Sequence, residues 1–308
     1  MYKTIYLLFI FFFISKNVSG QNYNELVSQA IELHTNKKYE ASIKIWDNAF
    51  SIHNGYSTDY YNAACTNSLA GNADKAISYL KKAIKTGWTD INWMKQDNDL
   101  SPLHDLKTWK TFIAQIPKIQ ENYLSSLNIA MKKELENLRV KDQTLRRLLP
   151  DLEKHFGRDS YNYKWFNYEL IPENDSLVLV RVIDVIEKNG WMGISEVGEL
   201  ANQSLWLVIQ HAPLKIQEKY LSLLEESVEK GESKARYMAF LTDRILMRKN
   251  QKQIYGTQAR WNADKKKNII YPIKNYETVN DRRKKVGLET IEQYANNNSY
   301  LYEPKNYN

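Results

Sequence analysis

Apolar residues along most of the chain recur every three or four positions, which is the spacing of one face of an α-helix. The same spacing predicts helices at about 174–189, 194–211, 213–230 and 233–249. The β-branched run 177–186 could also form a strand, but the positions of its apolar residues favour a helix. A long pattern after Pro117 has its apolar positions at Leu124, Leu127, Met131, Leu135, Leu138, Leu145, Leu148 and Leu152.

One segment near the end, 253-QIYGTQ-258, breaks the helical pattern. Side chains of 253–261 would lie alternately on the two faces of a strand, with Ile254, Gly256, Gln258 and Arg260 on one face and Tyr255, Thr257, Ala259 and Trp261 on the other. A polar turn follows at 262–268 and 269-IIYPI-273 is apolar, which predicts a β-hairpin. Gly256 would let the first strand approach a helix closely and carry Gln258 into the interior. Because Gln and Thr are poor core residues unless they pair or bind something, we interpret the segment as one wall of a polar cleft.

The first part of the chain contains a repeat with an offset of 34 residues. The aligned pairs are Ala30 and Ala64, Lys37 and Gly71, Ser42 and Ala76, Trp46 and Leu80, and Ala49 and Ala83. The offset and the small residues resemble tetratricopeptide repeats, and an aromatic-rich stretch at 87–116 would cap them. This resemblance implies a groove that binds a protein or peptide partner. A purely structural repeat that packs on the rest of the chain is the alternative.

A second resemblance rests on short motifs that occur in a fixed order. They are 142-DQTLR-146, Trp191, Gly198, 210-QHA-212, 242-TDR-244, 253-QIYGTQ-258, 272-PI-273 and 279-VNDRRKKVGL-288. Together they are similar to an uncharacterised bacterial domain family, over roughly residues 130–300. Met192 and Pro213 depart from that family's pattern, and Pro213 stands where an acid often follows the Gln-His-Ala motif. The resemblance implies a site without naming a reaction.

We therefore predict a mostly α protein: tetratricopeptide-like helical hairpins followed by a helical C-terminal domain that carries a small β-hairpin. Pro117 marks the expected boundary between the two. The predicted parts are a signal peptide at 1–20, the repeats with capping helices at 21–116, a connecting helix at 117–140, an uncharacterised helical domain at 141–296 and a flexible tail at 297–308.

The N-terminus has the features of a secretory signal peptide. Lys3 precedes the apolar run Ile5–Ile14, and small residues end the segment at Gly20. The apolar run is too short to cross a bilayer, which takes about 20 residues, and no later stretch reaches that length. We therefore predict an exported protein, periplasmic or secreted, with an uncleaved N-terminal anchor as the alternative. The single cysteine, Cys65, allows no internal disulfide.

The positive charge of the chain, +7 in all, is concentrated in one segment. Residues 244–285 hold thirteen Lys and Arg against three acidic residues. A basic segment can attract nucleic acid, but no nucleic-acid-binding motif accompanies it. A solvated basic face is the favoured interpretation, and no nucleic-acid partner is predicted.

The candidate site residues come from the shared motifs. His211 and Asp243 are the candidate catalytic residues. The candidate ligand-binding residues are Asp142, Arg146, Trp191, Gln210, Arg244, Tyr255, Thr257 and Gln258. Each also has an ordinary structural interpretation, such as a helix-surface ion pair or a histidine at a helix C-terminus. Neither a metal-ligand spacing nor a cofactor motif is present, so no metal site and no cofactor are predicted.

Two functions remain open from the sequence. The favoured one is an exported binding or scaffold protein whose repeats engage a protein or peptide and whose cleft holds a small polar or anionic ligand. The alternative is a hydrolase-like enzyme in which His211, oriented by Asp243 or Gln258, acts as acid and base. In that scheme Arg146 or Arg244 holds an anion.

The signal peptide can be tested directly in the native host. The mature protein is expected to begin at Gln21 and to fractionate outside the cytoplasm, because residues 1–20 carry the export signal. Mass mapping of the N-terminus and cell fractionation measure both. Soluble cytosolic protein that retains Met1 contradicts the prediction.

Overall fold

The computed structural model describes residues 19–304. Within them the chain forms fifteen α-helices and one two-stranded antiparallel sheet, so the predicted mostly α fold with a small β-hairpin is confirmed. The predicted signal peptide lies outside the described residues except for Ser19 and Gly20, and export stays a prediction. No helix in the described part of the chain is both long and apolar enough to cross a membrane.

Two helical hairpins form the N-terminal part. They are built from α1 (Ser19–Thr35), α2 (Tyr39–Ile52), α3 (Ser57–Leu69) and α4 (Ala73–Lys85), with α1 packed on α2 and α3 packed on α4. Small side chains let the helices approach closely, and larger ones fill the space between hairpins. The fully buried residues of this core include Ala30, Trp46, Ala49, Ala64, Ala76, Leu80 and Ala83.

The two hairpin turns have the same geometry, 34 residues apart. The amides of Lys38 and Asn72 each donate a hydrogen bond of 2.8 Å to the carbonyl five residues earlier. Lys37 and Gly71 both have positive φ, 58° and 81°. Glycine adopts this conformation at little cost, whereas a residue with a Cβ is disfavoured there. Lys37 therefore raises the conformational free energy of the first turn without changing its geometry.

Three further segments close this part of the chain. They are α5 (Ile91–Gln96), a 3₁₀ turn (Asn98–Leu103) and α6 (Lys107–Ser125). α6 runs through Pro117, the expected boundary between the two parts of the chain, and ends at Ser125. Proline lacks an amide hydrogen and crowds the carbonyl four residues earlier, which commonly kinks a helix. Phe112 and Ile116 are buried in the repeat core on one side of Pro117 and hold α6 on that core.

The C-terminal part consists mainly of seven helices. They are α7 (Ile129–Phe156), α8 (Tyr161–Trp165), α9 (Ile171–Asn189), α10 (Ile194–Val197), α11 (Glu199–His211), α12 (Leu214–Glu229) and α13 (Ala235–Arg248). Residues 177–186 lie in α9, as the helical interpretation predicted. The single helix predicted at 194–211 is wrong, because Gly198 has φ of +83° and separates α10 from α11.

The β-hairpin is shorter than predicted. Strand β1 (Ala259–Asn262) pairs antiparallel with β2 (Lys267–Ile270). The expected alternation through 253–258 is wrong, since these residues form a loop and Gln253 makes an isolated bridge to Ile273. The loop is held by buried polar side chains, which a period-two pattern cannot report. Two short helices follow, α14 (Val279–Lys285) and α15 (Ile291–Asn297).

The segment 297–308 was expected to be a flexible tail, and for residues up to 304 this is wrong. The amide of Ile270 donates to the carbonyl of Leu301, and the amide of Leu301 donates to the carbonyl of Asn268, both at 2.9 Å. Lys265 also pairs with Glu303 at 2.5 Å. These contacts add the segment to the open edge of β2.

Three apolar cores support the chain, and each is built from consecutive sequence. One lies within residues 27–119, the second within 131–245 and the third within 270–302. Polar contacts join the repeat part to the C-terminal part. The Asn24 side chain donates to the carbonyl of Lys285 at 3.2 Å, and the Tyr56 hydroxyl donates to the carbonyl of Ser233 at 3.2 Å.

The separation of the cores predicts that residues 127–308 fold without the repeats. This fragment keeps the second and third cores whole and loses the contacts made by Asn24 and Tyr56. We expect strongly helical circular dichroism and a melting temperature below that of the full chain. If the fragment is unfolded while the full mature chain is folded, the repeats belong to one cooperative unit and the predicted domain division fails.

Candidate functional site

His211 and Asp142 form a hydrogen-bonded pair between the C-terminus of α11 and the middle of α7. The His211 Nδ1 and the Asp142 Oδ1 are 3.0 Å apart, and the Asp142 side chain is 1% exposed. Because an ionised carboxylate accepts hydrogen bonds and cannot donate them, Nδ1 carries the hydrogen. The Nε2 atom has no hydrogen bond to any described residue. The neutral imidazole therefore keeps a free lone pair on Nε2.

The surroundings keep the imidazole neutral and the carboxylate ionised. Burial lowers the pKa of His211, and the positive charges of Arg146 and Arg244 act in the same direction against the raising effect of Asp142. Burial alone would raise the pKa of Asp142, but the hydrogen bond from His211 and the charge of Arg146 outweigh it. The net pKa of Asp142 is therefore below its ordinary value. At neutral pH the pair is a neutral base held by a carboxylate.

Arg146 lies one turn from Asp142 on α7, as predicted, but its main partner is on another helix. Its guanidinium donates to both carboxylate oxygens of Asp175 on α9, at 2.8 and 2.6 Å. It also donates to the backbone carbonyl of Asp142 at 2.7 Å. The bidentate pair fixes the start of α9 against α7. Arg146 is therefore already neutralised by Asp175.

Arg244 and Arg248 lie one turn apart on α13, and neither has a carboxylate partner among the described residues. Arg248 donates to the backbone carbonyl of Ala212, next to His211, at 2.5 Å. The Nε of Arg244 is buried without a hydrogen-bond partner. Burial and the charges of Arg248 and Arg146 lower the pKa of Arg244 to about 10. Arg244 nevertheless stays charged at neutral pH.

Asp243 anchors the QIYGTQ loop and does not contact His211. Its fully buried carboxylate accepts backbone hydrogen bonds from Ile254, Tyr255 and Thr257, at 2.7, 3.0 and 2.9 Å, and one from the Thr257 hydroxyl at 2.9 Å. Burial raises the pKa of Asp243, and these donors oppose that effect. The role of orienting His211, assigned to Asp243 from the sequence, is taken by Asp142.

The loop nevertheless reaches the end of α11, as the cleft interpretation required. The side-chain nitrogens of Gln210 and Gln258 both donate to the backbone carbonyl of Phe240, each at 3.4 Å. Gln258 also donates to the Thr257 hydroxyl at 2.9 Å. The Oε1 of Gln210 is buried and unpaired among the described residues. Gln258 is thus fixed beside the residue that precedes His211 and makes no contact that orients the imidazole.

Gly256 is the point of closest approach in the loop. It has φ of +72°, and an added Cβ would lie 2.6 Å from the Ile273 side chain and 2.7 Å from that of Ile291. The close contact predicted from the sequence is therefore present, although it is with side chains of the third core. Arg282 and Arg283 donate to the loop carbonyls of Ile254 and Tyr255, at 2.9 and 2.7 Å.

A cavity of about 680 Å³ opens beside the His211–Asp142 pair. Its lining residues are Asp142, Pro172, Asp175, Ser176, Leu179, Val180, Val208, His211, Ala212, Pro213, Leu214 and Arg248. Two of the predicted site residues, Asp142 and His211, line this cavity. Arg146 is bonded to both lining aspartates, Asp142 and Asp175. Trp191 is placed elsewhere, with its Nε1 donating to the Ser233 hydroxyl at 3.2 Å. Tyr255 and Thr257 lie in the loop that surrounds Asp243, and their amides donate to its carboxylate.

Sequence reasoning missed Asp175, Arg248, Arg282 and Arg283. Asp175 lies at the start of the helix predicted at about 174–189, and no motif marks it. The arginines lay within a basic run interpreted as a solvated face, yet the Arg283 side chain is fully buried. The VNDRRKKVGL motif was the signal that could have singled out Arg282 and Arg283.

Two family matches cover much of the chain. Residues 170–305 match a family of unknown function (DUF6624), and residues 22–123 match the A/B hydrolase-like, N-terminal domain. No curated protein and no solved structure matches this chain. The first match includes the Gln-His-Ala, Asp-Arg and Tyr-Gly-Thr-Gln segments but begins at residue 170 and not near 130. Asp142 and Arg146 therefore lie between the two matched segments.

Gly256 tests the packing of the loop. Gly256→Val places a branched side chain against Ile273 and Ile291 and forces a positive φ on a residue with a Cβ, so we expect a loss of about 1–3 kcal/mol or more in unfolding free energy. Ala259→Val in β1, where the strand favours branched residues, is the matched control and should cost less. Equal shifts in melting temperature for the two variants contradict the close packing of Gly256.

Proposed function

We propose that this chain is a hydrolase-like enzyme in which His211 acts as general base and then general acid. The observation that carries the proposal is the Asp142–His211 pair, with Nδ1 bonded to a buried carboxylate and Nε2 free beside a cavity of about 680 Å³. A carboxylate that orients a histidine in this way selects the tautomer that can accept a proton at Nε2. The partial match of residues 22–123 to a hydrolase-like N-terminal domain leans in the same direction.

Water is the proposed nucleophile. Ser176 is the one hydroxyl-bearing residue among the cavity-lining residues of the described chain, and its Oγ donates to the carbonyl of Pro172 at 2.9 Å. His211 would take a proton from water as the water oxygen bonds to an acyl or phosphoryl centre. The same proton then passes from Nε2 to the leaving group as the bond to that group breaks. Asp142 stays ionised and stabilises the transient imidazolium.

The second candidate is a binding or scaffold protein. A groove of about 500 Å³ between α4 and α6 favours it, with charged side chains such as Asp74, Lys81 and Lys107 beside Ile77 and Phe112. In this proposal the hairpins are tetratricopeptide-like repeats of an exported protein and hold a protein or peptide segment there. The proposed division keeps residues 21–116 as the repeat part and 141–296 as the ligand-binding part, with 117–140 connecting them.

The titration of His211 separates the proposed base from an ordinary surface histidine. We expect its pKa to lie below the usual value of about 6.5, because burial and two nearby arginines disfavour the charged form. Asp142→Asn removes a negative charge and should lower this pKa further, whereas Arg244→Leu removes a positive charge and should raise it. Imidazole chemical shifts measured against pH give all three values. A wild-type pKa above 7 contradicts the arrangement.

Activity is expected to depend on the same titration. In a screen of chromogenic p-nitrophenyl esters and phosphate esters, hydrolysis should hold above pH 6.5 and fall as acidification protonates His211. His211→Ala should lower kcat by about 10²- to 10⁴-fold, the usual contribution of general acid–base catalysis. His155→Ala removes an exposed histidine at the end of α7 and is the matched control. Equal rates for the two variants favour the binding protein.

A further inference from the structure

Arg248 places a positive charge at one end of the cavity. Asp142 and Asp175 are already satisfied by His211 and by Arg146. Arg248 lines the cavity and its guanidinium meets the carbonyl of Ala212, while Arg244 lies one turn earlier on the same helix. Neither of these two arginines has a carboxylate partner in the described part of the chain. Two such cations close together are stabilised by a bound anion.

Arg244 lies outside the cavity lining and adds its charge from one turn earlier on α13. Its Nε is buried and has no hydrogen-bond partner among the described residues. A buried N–H without a partner is costly, because it has lost its hydrogen bonds to water.

The other wall of the cavity is apolar. Its members are Pro172, Leu179, Val180, Val208, Pro213 and Leu214. Val180 and Leu177, one turn apart on α9, are each 71% exposed to solvent. Contiguous exposed apolar side chains on a soluble domain commonly mark a surface that binds a ligand or partner. Here Val180 joins the exposed pair to the cavity lining, so this apolar surface continues into the cavity.

We propose that the cavity binds an amphipathic anion: a carboxylate or phosphate head on Arg248, one helical turn from Arg244, with an aliphatic chain along the wall of Leu179, Val180 and Leu214. This deepens the proposed hydrolase and rests on that function for the use of the cavity: water can break the ester bond of a phosphate-headed chain, whereas a fatty carboxylate is the product of an ester's hydrolysis. A cavity of about 680 Å³ is within the range of about 300–1,000 Å³ that holds a small organic ligand. The head would lie near His211, where a proton can be transferred.

Decanoate tests the proposal without requiring turnover. Calorimetric titration of the full chain, below the concentration at which decanoate forms micelles, should detect binding at one site. Acetate carries the head without the chain, and decyltrimethylammonium carries the chain with the opposite charge. Both should bind at least about tenfold more weakly than decanoate. If acetate binds as tightly as decanoate, the apolar wall does not contribute to binding and the proposal fails. If decyltrimethylammonium binds as tightly, the cavity does not select an anion and the proposal also fails.

Matched variants locate the binding in the cavity. Arg248→Glu should weaken decanoate binding at least about tenfold, whereas Arg236→Glu makes the same charge change at an exposed position of α13 outside the cavity lining and should not. Val180→Asp should weaken it similarly, and Val140→Asp is its control on an exposed valine of α7. If each variant equals its control, the proposed cavity is not the binding site.

A separate comparison keeps this inference distinct from the proposed reaction. His211→Ala should still bind decanoate while losing hydrolysis, because the head and the chain are held by other residues. Hydrolysis that depends on His211 without any decanoate binding leaves the enzyme proposal intact and overturns the amphipathic substrate. Decanoate binding together with His211→Ala activity equal to wild type supports the cavity as a site for amphipathic anions and removes the proposed catalysis.

Discussion

A buried carboxylate, that of Asp243, fixes the part of the fold on which the site depends. An ionised carboxylate without solvent is strongly unfavourable unless donors surround it, and the loop 254–257 supplies three amides and a hydroxyl. Arg282 and Arg283 then hold the loop carbonyls from α14. α14 also carries the carbonyl that Asn24 contacts from the repeats. Asp243 therefore connects α13 with α14 through the loop, and the contact between α14 and Asn24 connects them with the first helix.

The arginines near the site divide into those that stabilise the fold and those that a ligand could use. Arg146 pairs with Asp175 and joins α7 to α9, so its positive charge is balanced within the protein. Arg244 and Arg248 have no such carboxylate among the described residues, and they lower the pKa of neighbouring groups by repulsion. Functional sites often retain locally unfavourable polar arrangements of this kind. Burial, together with the charges of Arg146 and Arg244, keeps His211 neutral, which is the form a general base requires.

Sequence pattern could predict the features that depend on local spacing. Leu135 and Leu138 are buried on the predicted face of α7, and Gly256 makes the close approach that an isolated glycine suggested. Features that depend on distant pairing were missed. Asp175 meets Arg146 across 29 residues of sequence, and such a contact leaves no periodic signal. Pro117 stays helical because neighbouring side chains are anchored in a core, a tertiary effect that overrides local preference.

The long helix α7 lies between the two matched segments and carries Asp142 to His211. Its start is held on α10, where the Asn128 amide donates to the carbonyl of Glu196 at 2.8 Å. Arg139 then donates to the Gln203 side chain at 2.9 Å, which keeps α7 aligned with α11. At about 1.5 Å per residue, Asp142 lies about 20 Å along the helix from Asn128, beside His211. Because Asp142 precedes the segment matched at 170–305, that segment alone lacks the carboxylate of the pair. α7 therefore supplies half of the candidate site and is not a spacer between two independent modules.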